Sequence, residues 1–82
     1  MARVRTIAQS VRDLAGGLDH FEVEAPNVRA LLAALEARHP GLGEHIKESM
    51  TIAIDGELYH EALNEPLKPD SEVVFIPLMT GG

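Results

Sequence analysis

The chain has no cysteine and no tryptophan, and only one tyrosine and two phenylalanines in 82 residues. Without cysteine there is no disulfide framework, no thiolate metal site and no cysteine nucleophile. With so few aromatics the core must be aliphatic, built from Leu, Ile, Val and Ala; apolar residues make up 45% of the chain. Positive charge is scarce too. Seven Lys and Arg stand against thirteen Asp and Glu, a formal net charge of −6. Only Arg3 and Arg5 lie close together, in a strand-like stretch, which argues against a phosphate-binding surface and a nucleic-acid partner. No apolar run approaches the roughly 20 residues that span a bilayer, and the start lacks the apolar stretch of a secretory signal. The expectation is one cytoplasmic domain over residues 1–82, away from the membrane and at the small end of what folds without staples.

What is present is a clear alternation of periods. "RVRTIAQ" (Arg3 to Gln9) alternates around Val4, Thr6 and Ala8 and predicts a first strand. "SVRDLAGG" reads as loop with at most one helical turn. "LDHFEVEA" sets Phe21 and Val23 against His20, Glu22 and Glu24, a half-buried strand antiparallel to the first. Val28, Leu31, Leu32 and Leu35 then fall at i, i+3, i+4 and i+7 behind Asn27, a good N-cap. Arg29, Glu36 and Arg38 go to the other side of that helix, and Pro40-Gly41 ends it. "GEHIKES" predicts a short helical turn at best. "MTIAID" is a strand, Asp55-Gly56 a two-residue hairpin turn, "ELYH" a short return strand, and "EVVFIPL" an apolar last strand. Strands on both sides of one helix predict an α+β domain. The expected fold is a β-grasp: a mixed sheet of about five strands, one main helix across one face, and the last strand central beside the first.

The chain then runs straight from that strand into "PLMTGG". Two terminal glycines arise by chance roughly once in 200 chains, so the pair alone is weak. Its setting sharpens it. Alternation sends Val73 and Phe75 to one face of the sheet and Val74, Ile76 and Leu78 to the other. If the helix covers the first face, the second is an exposed apolar row, with Pro77 ending the ladder, and a candidate partner surface. Met79, Thr80, Gly81 and Gly82 follow as a slim, flexible tail, roughly residues 78–82, whose glycines can thread a channel that a Cβ would block. A carboxylate at the end of such an arm is a poor electrophile until it is joined to a good leaving group such as AMP. Sulfur or an amine can then displace that group.

The stretch "PLKPDSEVVFIPLMTGG" resembles the end of the MoaD/ThiS sulfur-carrier family of ubiquitin-like β-grasp proteins. Pro66, Leu67, Asp70, Glu72, Val73, Phe75, Pro77, Thr80, Gly81 and Gly82 match its pattern in type and spacing. "AQSVRDLAG" is similar to the start of the molybdopterin-synthase branch, through Ala8, Arg12, Asp13 and Gly16. The loop between Ala8 and Arg12 is one residue longer than that branch's usual pattern, and Ile76 and Leu78 stand where it often has Phe and a second Pro. The resemblance implies a cycle in which an adenylating enzyme of the ubiquitin-activating type consumes ATP to form an acyl-adenylate on Gly82. A persulfide donor then supplies sulfur, leaving a thiocarboxylate. The tail enters a molybdopterin synthase large subunit and delivers the sulfur to a pterin precursor. On this reading the chain binds no cofactor and has no catalytic activity alone; Gly82 carries the chemistry, Gly81, Thr80 and Met79 thread, and Val74, Ile76, Pro77 and Leu78 meet the partner.

The alternatives share the tail. They are a sulfur carrier for thiamine, cysteine or another metabolite, a ubiquitin-like modifier conjugated through Gly82, and a plain interaction domain whose glycines are accidental. Only Lys47 and Lys68 could accept chain extension in a modifier. His39, His45 and His60 with Glu44, Glu48 and Glu61 lack metal-ligand spacing and read as surface residues, with no metal expected. Ser10, Ser49 and Ser71 have no nucleophile-elbow context.

Overall fold

The computed structural model describes residues 1–59 and 61–77. Its strands and helices are β1 (Ala2–Thr6), α1 (Gln9–Leu14), β2 (His20–Val23), α2 (Val28–Arg38), α3 (Leu42–Ser49), β3 (Met50–Ile54), β4 (Glu57–Tyr59) and β5 (Glu72–Pro77). The five strands form one mixed sheet in the order β2-β1-β5-β3-β4. β5 is central, parallel to β1 and antiparallel to β3, and β2 is antiparallel to β1. This is the β-grasp arrangement expected from the element order. A last strand paired on both edges explains why "VVFIP" after Glu72 is apolar.

The core lies between the sheet and the helical layer. Val4 of β1, Val23 of β2, and Val73 and Phe75 of β5 meet Val28, Leu31, Leu32 and Leu35 of α2, all essentially inaccessible to solvent. The predicted helix is thus where periodicity put it. All four of its first amides are satisfied. Ala30 N–H donates to the Asn27 side chain at 2.8 Å, Leu31 N–H to the Asn27 carbonyl, and Val28 and Arg29 donate to the carbonyls of Glu65 and Leu63. The connector before β5 therefore completes the cap, and burial of the helix start leaves no orphan donor.

The Asp55-Gly56 turn also forms as its residues dictate, with φ of 49° and 87°, the positive pair a two-residue type I′ hairpin needs. The Asp55 carboxylate reaches onward to β5. It accepts from Glu72 N–H at 2.9 Å and from the Ser71 hydroxyl at 3.3 Å, while Ser71 Oγ accepts from Lys68 N–H at 2.8 Å. Ser71 is buried and has a structural task, fixing the entry to β5.

Three local expectations change. The first strand stops at Thr6 rather than running to Gln9. The buried Thr6 hydroxyl accepts from Ala8 N–H at 3.1 Å and donates to the Phe75 carbonyl at 3.3 Å, turning the chain out of the sheet. "QSVRDL" is a helix of six residues, not a loop, because Val11 and Ala15 both find core contacts and Gln9 links Arg12 and Asp13 along the exposed side. "LGEHIKES" is a full helix of eight residues, anchored by buried Leu42 and Ile46 at i and i+4. Its N-cap, Gly41, offers no side chain. Glu36 of α2 stands in, its carboxylate accepting from Gly41 N–H at 2.6 Å and Glu44 N–H at 3.2 Å. Those backbone donors, Gly41 first, hold the Glu36 carboxyl below its ordinary range. Glu36, on the side of α2 away from its apolar stripe, thus joins two helices.

Candidate docking face and tail-bearing strand

The sheet has one covered face and one open face, and β5 runs through the middle of both. Val73 and Phe75 are buried under the helices, while Val74, Ile76 and Pro77 remain half-buried. The alternation read from the sequence therefore holds along β5. Pro77 pairs with Met50 at the last described step of the ladder. Leu78, Met79, Thr80, Gly81 and Gly82, the expected threading and chemical residues, lie outside the described residues, as does His60.

Register builds the open face in rows. One row sets Arg3 directly between Glu22 and Glu72. The next runs His20, Arg5, Val74, Ala53, Leu58 across all five strands. Beyond it Ile76 lies opposite Thr51. Ile7 and Leu58 are 77% and 63% exposed, more than any other large hydrophobic side chain among the described residues. The face is thus an apolar band bordered by charge, and over β2, β1 and β5 it shapes a shallow groove of about 730 Å³. Sequence reasoning found Val74 and Ile76 but missed Ile7, Ala53 and Leu58. Parity was the available signal, since Ile7 and Ala53 lie an odd number of residues from the core positions Val4 and Ile52, and Leu58 is next to Tyr59, which packs against the core.

Electrostatics at this face is uneven. His20 and Asp19 pair at 3.0 Å, both exposed, and the hydrogen bond from the imidazole lowers the Asp19 carboxyl below its ordinary range. Among the described residues neither Arg3 nor Arg5 makes an ion pair. No catalytic constellation among the described residues accompanies the face. Among the described residues no three metal-ligating side chains cluster. His45 instead meets Ser10 at 2.8 Å, tying α3 to α1, and the ring of His39 packs edge-on against Phe21. No described helix is long and apolar enough to cross a membrane.

Solved structures share this fold. The complex of BexX and CysO from Amycolatopsis orientalis contains a chain that superposes with a TM-score of 0.83 at 20% identity, covering all of both chains. The small archaeal modifier protein 1 of Methanosarcina acetivorans gives 0.79 at 23% identity, over 99% of this chain and 95% of that one. Both likenesses establish the fold. The complex of subunits 1 and 2 of the molybdopterin-converting factor from Helicobacter pylori matches at 25% identity with a TM-score of 0.68, over 99% and 97%. No curated protein matches the sequence at a level that carries an argument. The family model described as the ThiS family matches residues 6–82, nearly the whole sequence including the diglycine. The chain belongs to the ThiS family of ubiquitin-like sulfur carriers.

Proposed function

We propose that this protein carries sulfur as a thiocarboxylate on Gly82 and delivers it, as the small subunit of a molybdopterin synthase, to a pterin precursor. The observation that carries the reading is a Thr-Gly-Gly sequence that begins three residues after Pro77, the end of the central strand β5, which also borders an open apolar face. Delivery to a pterin is supported by the Helicobacter pylori complex, the most similar in sequence of the three neighbours described.

The chemistry follows from the carboxylate. A Gly82 carboxylate oxygen attacks the α-phosphate of ATP in an adenylating enzyme of the ubiquitin-activating type, releasing pyrophosphate. A persulfide sulfur then displaces AMP, and a thiol cleaves the resulting acyl disulfide to leave the thiocarboxylate. This chain's own residues supply none of the acid–base groups. They supply a slim arm, in which Met79, Thr80 and Gly81 thread toward the partner's active site. They also supply the docking face, where Val74, Ile76, Pro77 and Leu78 seat the partner. A glycine arm suits a narrow channel, because any Cβ adds width.

Intact mass spectrometry tests the proposal. After incubation with the cognate adenylating enzyme, ATP and a persulfide donor, the protein should gain the mass difference between sulfur and oxygen. An unchanged mass, with an enzyme shown to form adenylate on another carrier, would sink the carrier reading. The archaeal modifier neighbour favours a second reading, conjugation through Gly82 to lysines of other proteins. That reading predicts Gly82-terminated remnants on target lysines in a tryptic digest, and the carrier reading predicts none.

A further inference from the structure

The two arginines of the open face are alike in sequence but not in setting. Arg3 has a carboxylate directly opposite on each side, Glu22 on β2 and Glu72 on β5. Arg5, two residues on, has His20 and Val74 in the same places. The nearest acid to His20, Asp19, is occupied by the imidazole at 3.0 Å. Arg5 therefore has no carboxylate directly opposite it and makes no ion pair among the described residues, and it is exposed at the margin of the Ile7, Val74, Ala53, Leu58 band, on a chain whose net charge is −6.

A partner that covers Val74 and Ile76 cannot avoid covering the neighbouring guanidinium. Burying a charge without a counter-charge costs far more than the adjoining apolar contacts return. A planar guanidinium is best satisfied by a carboxylate in bidentate geometry. Resting on the proposed function, we infer that Arg5 is a specificity determinant of the docking face, and that the adenylating enzyme seats there an apolar patch bearing one Asp or Glu that pairs with Arg5. The Arg3 row, with Glu22 and Glu72 in register on either side, forms the rim. A partner with a neutral or cationic residue at that point is rejected even if its apolar patch fits, because discrimination comes as much from an unpaired charge as from good contacts.

The test is binding of the full chain to the cognate adenylating enzyme without ATP, measured by calorimetry at about 0.1 M and 1 M salt, where screening lengths are about 10 and 3 Å. Wild-type affinity should weaken with salt. Arg5→Glu should raise Kd by about 10-fold or more at low salt. Arg5→Leu should bind more weakly than wild type at low salt and lose the salt dependence, and it carries the test if Arg5→Glu folds poorly. Arg29→Glu, on the far side of the domain and bonded to Asn64, should bind as wild type. The inference is overturned if wild type does not bind, or if both Arg5 variants match it at both salts. Arg5-dependent binding without sulfur loading of the wild type would leave the docking inference standing and refute the carrier reading.

Discussion

Consider a carboxylate placed at two successive positions of β5. Val73 has no accessible surface and pairs with Val4 and Ile54. Val73→Asp forfeits the valine's burial, about 1.5–3 kcal/mol, and leaves a carboxyl in the core at a further cost of about 1–3 kcal/mol even when protonated. Together these reach about 2.5–6 kcal/mol. A domain of this size has only about 4–12 kcal/mol in total. The variant should be largely unfolded or melt far below wild type. Val74 is half-buried on the other face, between Arg5 and Ala53. Val74→Asp gives up strand propensity worth up to about 1 kcal/mol. Against that, it puts a carboxylate directly opposite Arg5, a cross-strand pair worth about 0.2–1 kcal/mol. It should stay folded, with stability within about 1 kcal/mol of wild type. Partner affinity should nonetheless fall by roughly 30-fold, corresponding to about 2 kcal/mol for a lost interface anchor. Urea titration followed by circular dichroism measures the first pair of effects, and calorimetry with the adenylating enzyme the last. A Val74→Asp variant that unfolds would mean this face is core. One that folds and binds the enzyme as wild type would mean the docking face lies elsewhere.

Three further outcomes follow from single residues. An added Cβ at Gly43 would lie 2.8 Å from the Leu32 carbonyl oxygen and 3.1 Å from Glu36 Cβ, so Gly43→Ala should destabilise by about 1–3 kcal/mol through overpacking, despite the better helix propensity of alanine; a raised melting temperature would refute the close approach of α2 and α3. The Glu36 carboxyl is held below its usual 4.5 by the amides of Gly41 and Glu44, so its contribution is fully present above the unfolded value and lost as pH falls through the folded one; the acid-side loss of stability should flatten in Glu36→Gln, and identical pH profiles would refute the cap. Deleting Gly82 should abolish sulfur loading while changing stability by less than about 0.5 kcal/mol, and a clearly destabilised deletion would give the residue a structural role.

Much of this architecture was legible because its signals are local and repeated. The Val28, Leu31, Leu32, Leu35 stripe admits one helix, and Asp55-Gly56 admits one kind of hairpin. Parity along "EVVFIP" separated Val73 and Phe75 from Val74 and Ile76 before any coordinates. What escaped depended on residues distant in sequence. α3 carries a glycine at its second position, two glutamates four apart and no capping side chain of its own, so nothing local favours it; a carboxylate from the preceding helix and the burial of Leu42 and Ile46 decide it. α1 is too short to stand alone, and only the fit of Val11 into the core reveals it. The asymmetry between Arg3 and Arg5 was invisible for the same reason. It comes from register with β2 and β5, which a pattern along β1 does not contain.

The placement of β5 links stability to the proposed chemistry. It bonds to β1 on one side and β3 on the other, and its start is tied to the hairpin turn through Asp55, Ser71 and Glu72. Central strands with buried neighbours open only with the whole domain, whereas edges and termini fray at little cost. The strand that leads into Thr80, Gly81 and Gly82 is thus the best-held element in the molecule. The same strand supplies Val74 and Ile76 to the candidate docking face, three residues and one residue upstream of Pro77. A partner seated on that face is therefore registered to the strand from which the arm departs, not to a loop or an edge that shifts independently. Positioning a reactive group depends on what holds it. In the proposed function, reproducible delivery of the Gly82 carboxylate needs the docking contacts and the point where residues 78–82 leave the sheet to share one rigid element, and β5 is that element.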